Sequence, residues 1–473
     1  MKLRATEDRG LRVREIAYRA IERWEHHPES DLKLILDEAL REETLSPAER
    51  GFVTELVYGV VRWRRRLDAI LDAHADRPRR IRENARRVLR MGVYQLLFME
   101  AVPDYAAVHQ SVELARRVNA TPSGFINAVL RSVQRKGDIV RYPHPQSRPV
   151  AYCAVYYSYP EWILNRWLRQ YGREAMEQLC QVHNTPAPLT LRVNALRTTR
   201  EEMLAELSSS GAEVRPGTLS PAAILADNLP AIEELEPFQE GKLIVQDESS
   251  QLIGFLLDPR PGELVVDLCA APGGKSTHLA ELMNDEGRVV AVDISPFGLE
   301  RLEENVRRLG LRSIEPRLGD ARTLLPDLVG RADRVLVDAP CSSLGILRRH
   351  ADARWQKTEG AIPELARVQR EILSAAAHYV RPGGVLVYGV CTDTPEETVE
   401  VVQGFLAERD DFRPEPVKTI LSTLPDDATT SEGALLLLPH RHGTDGFFAV
   451  RLRREGKSLK PLEGKEGSDE PSA

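Results

Sequence analysis

From residue 264 onward, short apolar runs alternate with longer segments of helical periodicity. Three of the runs, residues 289–292, 335–337 and 385–388, are continuously apolar, which is typical of strands that are buried on both faces of a sheet. Parallel strands need a crossover connection, usually a helix, so this alternation predicts a mostly parallel, doubly wound α/β sheet of the Rossmann-like class. The five predicted strands cover residues 264–268, 289–292, 314–318, 335–337 and 385–388.

Two later apolar runs, residues 434–438 and 447–452, have a glycine-containing turn between them. Short runs of this kind on either side of turn residues predict a β-hairpin. We therefore expect an antiparallel pair of strands at one edge of the doubly wound sheet.

The first 140 residues have the periodicity of helices and no strand pattern. Apolar residues recur at helical spacing from Val13 to Trp24 and again in later segments. Before one of these segments, Ser46 is followed by a proline and then by Glu49, a capping box that predicts the start of a helix. Residues 1–140 are therefore predicted to form an all-α domain.

Residues 141–240 differ from both neighbouring regions, because prolines cluster near their start and short alternating runs follow. This composition predicts a linker and a small α+β subdomain. The doubly wound domain then extends over residues 241–455. The remaining residues, 456–473, are charged and poor in apolar side chains, and we expect them to be disordered.

Charge is unevenly distributed along the chain. Residues 1–140 contain 26 basic and 21 acidic residues, whereas the complete chain carries a formal net charge of -7. Nearly all of these basic residues are arginine, which favours contact with a polyanion such as RNA, although an arginine-rich codon bias would give the same composition. The candidate RNA contacts in the two densest clusters are Arg64, Arg65, Arg79, Arg80 and Arg86.

Composition also argues against several classes of protein. No apolar run is long enough to span a membrane, and the first ten residues are polar, so neither a transmembrane segment nor a signal peptide is expected. The five cysteines contain no C-x-x-C pair, which argues against a disulfide framework and a zinc site. We expect a cytoplasmic, monomeric protein without a metal.

A turn rich in small residues follows the first predicted strand, from Asp267 to Thr277. A phosphate-binding loop, G-x-x-x-x-G-K-[ST], would need glycine at position 269, which is cysteine here, and the dinucleotide pattern G-x-G-x-x-G is also absent. The turn still lets a ligand approach the backbone, and the helix that it opens can bind a carboxylate such as that of a methionine moiety. The candidate cofactor residues are Cys269, Ala270, Ala271, Pro272, Gly273, Gly274 and Lys275.

Acidic residues follow the next three predicted strands. Asp293 ends the second strand, where a carboxylate can accept hydrogen bonds from both hydroxyls of a ribose. Asp320 follows the third strand and is predicted to contact an adenine edge, and Asp338 ends the fourth. Acids at the ends of successive strands favour a nucleotide-type ligand over a purely stabilising role, so all three are candidate cofactor residues.

Two cysteines follow the fourth and fifth predicted strands, Cys341 and Cys391. A single cysteine is more often a small buried apolar residue. At the ends of adjacent parallel strands, however, two thiols are expected to share one site, where a thiolate can act as a nucleophile. Residues 394–397 match a second capping box, which predicts a helix that begins close to Cys391.

These motifs closely resemble the RsmB/Sun family of ribosomal RNA small-subunit (cytosine-5)-methyltransferases. The resemblance rests on Asp267–Thr277, on Asp338–Ser343 and on Cys391 with the Pro-Glu-Glu that follows it. It also rests on Gly443–Phe448 and on Asn127–Arg131, the latter being similar to the NusB-type RNA-binding domain of that family.

The resemblance implies a methyltransferase that uses S-adenosylmethionine and modifies carbon 5 of a cytosine in ribosomal RNA. Cytosine C5 is not nucleophilic, so a thiolate must first add to C6. The resemblance further implies that Cys391 is this nucleophile and that Cys341 assists release of the product. We also expect Asp338 to hydrogen-bond the ring as charge develops. Two alternatives stay open, namely the same chemistry on transfer RNA and a non-catalytic RNA-binding assembly factor.

Overall fold

The computed structural model describes residues 2–120, 122–227 and 229–456, with side chains from residue 9 onward. Apart from Gly456, the tail predicted to be disordered lies outside the described residues. The first part of the chain folds as the predicted all-α domain around one apolar core. Its helices are α1 (Lys2–His26), α2 (Leu32–Arg41), α3 (Pro47–Arg62), α4 (Arg64–His74), α5 (Glu83–Phe98), α6 (Asp104–Arg117) and α7 (Ser123–Lys136).

The predicted capping box at the start of α3 is confirmed. The Glu49 N–H donates to Ser46 Oγ at 3.4 Å, and the Ser46 N–H donates to the Glu49 carboxylate at 2.8 Å. These bonds satisfy backbone donors that have no partner inside the helix. The apolar side chains of α3, including Val53 and Val57, are fully buried in the domain core.

Residues 149–183 form two helices rather than the predicted linker, α8 (Pro149–Tyr156) and α9 (Glu161–His183). The prolines before these helices are typical of a linker, but the apolar stripe of α9 has helical spacing, and its Ile163, Leu164 and Trp167 are buried. Within the described residues, none of the helices is both long and apolar enough to cross a membrane.

The predicted α+β subdomain follows these two helices. In chain order its elements are β1 (Leu189–Val193), α10 (Arg200–Ser209), β2 (Glu213–Pro216), β3 (Ala223–Asp227), α11 (Glu236–Gln239) and β4 (Leu243–Val245). The four strands form an antiparallel sheet with the order β2-β3-β1-β4.

The last part of the chain contains the main sheet and the helices on its two faces. Its elements are α12 (Glu248–Leu257), β5 (Leu264–Leu268), α13 (Gly274–Leu282), β6 (Arg288–Asp293), α14 (Pro296–Leu309), β7 (Ile314–Leu318), β8 (Ala332–Asp338), α15 (Ala353–Gln356), α16 (Ala361–Tyr379), β9 (Val380–Val390), α17 (Val399–Glu408), β10 (Phe412–Glu415), β11 (Leu435–Leu437), α18 (Pro439–His442) and β12 (Phe447–Arg454).

The main sheet is doubly wound, as predicted. Its strand order is β10-β12-β9-β8-β5-β6-β7, and β9, β8, β5, β6 and β7 pair in parallel. The buried apolar side chains of these strands divide between two cores, one on each face of the sheet. All five predicted strands lie within the observed ones.

The predicted hairpin is present, since β11 pairs antiparallel with β12. Its predicted place at the sheet edge is wrong for β12, because this strand also pairs with β9 on one side and with β10 on the other. The edge strand β10 is only four residues long and carries two charged residues and a proline, so it has no clear strand pattern.

Two sets of contacts join the three parts of the chain near the carboxyl edge of the main sheet. Arg192 on β1 is fully buried and donates to Glu281 at 2.8 Å and to the carbonyl of Gly274 at 2.6 Å. Trp355 on α15 donates from Nε1 to the carbonyl of Val61 in α3 at 2.7 Å. The subdomain and the all-α domain are therefore both docked onto the doubly wound domain.

Candidate active site

A cavity of about 360 Å³ opens at the carboxyl edge of the main sheet, where β5 and β8 lie side by side. The chain leaves β5 toward one side of the sheet and continues from β8 toward the other, and ligands of doubly wound folds bind at such a switch point. The predicted residues that line the cavity are Cys269, Ala270, Ala271, Pro272, Gly274, Lys275, Asp338 and Cys391.

Gly273 shapes the loop between β5 and α13 without itself lining the cavity. Its φ is +96°, and a Cβ there would lie 2.7 Å from the Leu302 side chain. Only glycine fits this conformation and this close approach. Helix α13 begins at Gly274, so its positive N-terminal end meets the cavity, as the binding of a carboxylate requires.

Asp293, at the end of β6, lies against the same loop. Its carboxylate accepts hydrogen bonds from the N–H groups of Ala271 at 2.9 Å and Ser295 at 2.8 Å. These two bonds fix the orientation of the carboxylate and leave a lone pair on each oxygen for a ligand hydroxyl. The arrangement is compatible with the predicted ribose contact.

Asp320 lies outside this cavity. It lines a second cavity of about 760 Å³, next to α16 and α17, and its carboxylate accepts hydrogen bonds from the Arg322 side chain at 2.6 and 3.0 Å. These bonds lower the pKa of Asp320 below its ordinary value. The Gly319 N–H donates to the Asp293 carbonyl at 2.9 Å, so the two acids are neighbours, but the adenine contact of Asp320 stays a prediction.

Asp267, at the start of the cofactor loop, was not among the predicted cofactor residues. It lines the cavity and is fully buried, and burial raises its pKa to about 7. One carboxylate oxygen accepts a hydrogen bond from Ser276 Oγ at 2.5 Å, while the other has no partner among the described residues. A buried acceptor without a partner is costly, so a bound ligand with a donor group would stabilise this position.

The two predicted catalytic cysteines are in direct contact. Strands β8 and β9 are parallel neighbours, with Asp338 opposite Gly389. Each strand is followed by one of the cysteines just beyond its carboxyl end. The Sγ atoms of Cys341 and Cys391 are 3.3 Å apart. Cys391 lines the cavity, whereas Cys341 lies behind it and is only 7% exposed.

The contact makes the two thiols chemically different. The hydrogen bond from Cys341 lowers the pKa of Cys391 and outweighs the effect of burial. The same hydrogen bond, together with burial, raises the pKa of Cys341 well above its ordinary value. Cys391 is therefore the more acidic thiol of the pair, and it is the thiol that a ligand in the cavity can reach.

Lys275 and Asp338 form an ion pair on the cavity wall, with 2.5 Å between Nζ and Oδ2. Burial alone would lower the pKa of Lys275, but the Asp338 carboxylate raises it above its ordinary value. Lys275 Nζ also lies 5.3 Å from the centre of the Phe447 ring. The pair presents a fixed positive and a fixed negative group beside Cys391.

The second predicted capping box is wrong. Thr394 makes no side-chain bond to the helical backbone, residues 395–397 form a short 3-10 turn, and α17 begins only at Val399. Thr394 Oγ1 donates instead to the Glu397 carboxylate, which turns into the protein.

One wall of the cavity was not predicted. Arg349 donates to the Asp247 carboxylate at 2.8 Å and to that of Asp445 at 2.7 Å. Burial raises the pKa of Asp445 to about 7. Asp445 belongs to the run Gly443–Phe448, on which part of the family resemblance rests. That run is the sequence feature that could have predicted a place for Asp445 in the site.

The five predicted RNA contacts fall into two groups. Arg64 lies over the Trp24 ring, Arg65 donates to the carbonyl of Tyr159 and to Glu161, and Arg86 pairs with Asp68 and Asp72. Such internal contacts disfavour RNA binding by these three arginines. The other two, Arg79 and Arg80, are exposed and have no ion pair within the described residues.

Three family models match consecutive parts of the chain. A model described as the NusB family matches residues 11–135, and a Methyltr_RsmF/B-like, ferredoxin-like domain matches residues 159–233. A model of the 16S rRNA methyltransferase RsmB/F matches residues 254–453. They correspond in order to the all-α domain, the α+β subdomain and the doubly wound domain, which confirms the predicted fold class.

Two relatives cover almost the whole chain. The probable ribosomal RNA small subunit methyltransferase B of Bacillus subtilis is 38% identical over 448 residues, which are 94% of this chain and 99% of that protein. The ribosomal RNA small subunit methyltransferase B of Vibrio cholerae is 34% identical over 88% of this chain and 92% of that protein.

Solved structures show the same architecture. The crystal structure of PH0851 superposes with a TM-score of 0.79 at 29% identity, over 94% of this chain and 98% of that one. NSun6 from Pyrococcus horikoshii, solved with SFG, superposes with a TM-score of 0.57 at 25% identity, over 63% of this chain and 99% of that one. These likenesses confirm S-adenosylmethionine as the predicted cofactor. The chain therefore belongs to the RsmB/Sun family of methyltransferases.

Proposed function

We propose that this protein transfers a methyl group from S-adenosylmethionine to carbon 5 of a cytosine in small-subunit (16S) ribosomal RNA, through a covalent adduct on Cys391. The observation that carries the proposal is the pair of thiols. Cys391 faces the cavity at the cofactor loop, and its Sγ is in hydrogen-bonding contact with Cys341 Sγ at 3.3 Å. A methyltransferase that modified an exocyclic nitrogen or a ribose hydroxyl would need neither thiol.

The cavity residues fit the cofactor. Gly274 and Lys275 at the N-terminus of α13 would hold its carboxylate, Asp293 its ribose, and the unpaired oxygen of Asp267 a donor such as its amino group. When bound, S-adenosylmethionine supplies an electrophilic methyl group. Among the described residues, no other part of the cavity wall combines a helix N-terminus with a buried acceptor that has no partner.

The residues around Cys391 suit each step at the cytosine. The Cys391 thiolate adds to C6, and the electrons of the C5–C6 double bond make C5 nucleophilic, so that C5 can take the methyl group. Asp338, held by Lys275, hydrogen-bonds the ring as charge develops. A base then removes the C5 proton, the C5–C6 double bond re-forms, and the bond from C6 to Cys391 breaks.

The other two parts of the chain would hold the RNA. We assign RNA binding to residues 1–140 and to the subdomain within residues 141–240, and the chemistry to residues 241–455. A cytosine inside folded RNA must be unstacked before it can enter the cavity, and contacts outside the cavity offset that cost. We expect the protein to act as a cytoplasmic monomer without a metal.

The proposal is tested by identifying the product. Purified protein is incubated with methyl-labelled S-adenosylmethionine and small-subunit ribosomal RNA from cells that lack the protein, and the digested nucleosides are separated by mass spectrometry. We expect the label in 5-methylcytidine. Label in N4-methylcytidine or in a 2′-O-methyl nucleoside would exclude the C5 reaction.

The same assay separates the alternatives. Transfer RNA added in place of ribosomal RNA should accept no label; efficient labelling would make transfer RNA the substrate. A non-catalytic assembly factor would bind ribosomal RNA tightly and transfer nothing to any substrate. The intact thiol pair and the ion pair of Lys275 with Asp338 favour the catalytic protein.

Replacing Asp293 with asparagine should weaken cofactor binding about 10-fold, because the amide loses the charge that strengthens hydrogen bonds to ribose hydroxyls. Titration calorimetry with S-adenosylmethionine measures this directly. Asp285→Asn is a matched control, since Asp285 also accepts hydrogen bonds from two backbone N–H groups, those of Arg312 and Ser313, but precedes β6, whereas Asp293 ends that strand beside the cofactor loop. Equal affinity of both variants would remove Asp293 from the site.

Replacing Arg79 and Arg80 together with alanine should weaken RNA binding and lower its salt dependence. Each lost phosphate contact should reduce the slope of log K against log salt by about 1. Arg331→Ala serves as control, because Arg331 is also exposed but directly precedes β8, at the opposite edge of the sheet from the cavity. An unchanged slope in the double variant would show that these arginines do not contact RNA.

A further inference from the structure

Glu397 is a fully buried carboxylate without a basic partner among the described residues. It accepts hydrogen bonds from the Ser342 N–H at 2.8 Å and from Ser342 Oγ at 2.5 Å. It also accepts one from Thr394 Oγ1 at 2.7 Å and one from Gln369 Nε2 at 3.0 Å. Four donors use the full acceptor capacity of a carboxylate and offset the cost of burying this polar group.

These donors surround the two catalytic cysteines. Ser342 directly follows Cys341, and Thr394 lies three residues after Cys391. The Glu397 carboxylate therefore connects the loop that carries one thiol to the loop that carries the other.

Two further bonds tighten the same connection. Gln369 Nε2 donates to the carbonyl of Pro340, the residue before Cys341, at 2.9 Å. The hydroxyls of Ser342 and Thr392 are 2.8 Å apart, and Thr392 directly follows Cys391. Both cysteines thus have neighbours that are bound to Glu397 directly or through one more side chain.

We propose that Glu397 is a positioning residue that holds the Cys341 and Cys391 thiols in hydrogen-bonding contact. This inference deepens the proposed function and rests on it, because the contact matters for catalysis only if Cys391 is the nucleophile. Glu397 touches neither substrate nor cofactor, and it acts through Cys341. A buried carboxylate that only stabilised the fold would not need to bind both cysteine loops.

The test uses Glu397→Asp in the full-length protein. Aspartate keeps the charge but is one methylene shorter, so it cannot reach both loops, and the thiols should move apart. The rate at which iodoacetamide alkylates Cys391 is measured against pH by peptide mass spectrometry. We expect the midpoint of this profile to rise by about one pH unit, so that the rate at pH 7 falls about 10-fold.

Two comparisons separate positioning from general destabilisation. Glu396→Asp is the matched control, because the neighbouring Glu396 binds Arg166 and not the cysteine loops, and its profile should equal that of the unaltered protein. Cys341→Ala should shift the Cys391 profile as Glu397→Asp does. The double variant, Glu397→Asp with Cys341→Ala, should show no larger shift than either single variant, because Glu397 acts through Cys341.

An unchanged profile in folded Glu397→Asp, or shifts that add in the double variant, would overturn the proposal. If Glu397→Asp does not fold, Ser342→Ala tests the same link by removing one hydroxyl between Glu397 and Thr392, with the same two outcomes. Alkylation needs neither RNA nor cofactor. A failure of this inference would leave methyl transfer intact, whereas a failure of the proposed function would appear as the wrong methylated nucleoside.

Discussion

Cys391→Ala should abolish methyl transfer and leave no covalent complex between protein and RNA. Removal of a covalent nucleophile typically costs on the order of 10⁴-fold or more in rate, because no other group can make the intermediate. In this chain Cys391 is the thiol that lines the cavity, and the hydrogen bond from Cys341 lowers its pKa. Transfer of labelled methyl groups and denaturing electrophoresis of the protein with RNA measure both effects.

Two variants make this result specific. Cys391→Ser keeps the size of the side chain but has a hydroxyl that stays protonated at neutral pH, so it should be as inactive as the alanine variant. Cys153→Ala is a control at a buried cysteine of α8, away from the cavity, and should remain active. Full activity of folded Cys391→Ala would show that Cys391 is not the nucleophile.

Cys341→Ala should have the second large effect, a methylated RNA adduct that accumulates and survives denaturing electrophoresis. Release of the product requires the Cys391 sulfur to leave as a thiolate, and in the intact protein the Cys341 thiol lies 3.3 Å from that sulfur, close enough to donate a hydrogen bond to it. Without this donor the thiolate is a poorer leaving group. Attack and methyl transfer can still occur, so the blocked intermediate builds up.

The reverse pattern would exchange the two roles. If the adduct were lost in Cys341→Ala and trapped in Cys391→Ala, the nucleophile would be the thiol that the structure places behind the cavity wall. Cys341 would then have to move into the cavity, since it is 7% exposed. If both variants kept full activity, a C5 reaction would have no route, and another methylated atom should be sought.

The main sheet was predictable because its signals are local. Strands β5 and β7 were predicted with their observed bounds, since each follows a turn that contains a glycine, Gly262 before β5 and Gly310 before β7. The capping box of Ser46 with Glu49 was also predictable, because both of its hydrogen bonds lie within four residues. Parallel order then placed the thiols of Cys341 and Cys391 at neighbouring strand ends.

Contacts between distant residues were not predictable in the same way. The prediction of a second capping box was wrong because the Glu397 carboxylate accepts a hydrogen bond from the Ser342 N–H, which lies 55 residues earlier in the chain. The ion pairs of Arg86 were not predicted either, because its carboxylate partners, Asp68 and Asp72, belong to another helix. A sequence pattern shows that a charge exists, but not which opposite charge the fold brings to it.

The docking of the all-α domain was likewise hidden in the sequence. Trp355 lies only 14 residues after Cys341, yet its ring N–H binds the carbonyl of Val61 in α3. The same segment also contacts the site, because the Gly345 N–H, between Cys341 and Trp355, donates to the Cys391 carbonyl at 3.1 Å. The all-α domain and the loop that carries Cys391 are therefore connected through one short segment.

The most direct test of the account is bisulfite sequencing of small-subunit ribosomal RNA from cells with and without this protein. We expect one cytosine that resists conversion when the protein is present, converts when it is absent, and resists again when the unaltered protein, but not Cys391→Ala, is restored. Identical conversion patterns in all these cells would contradict it.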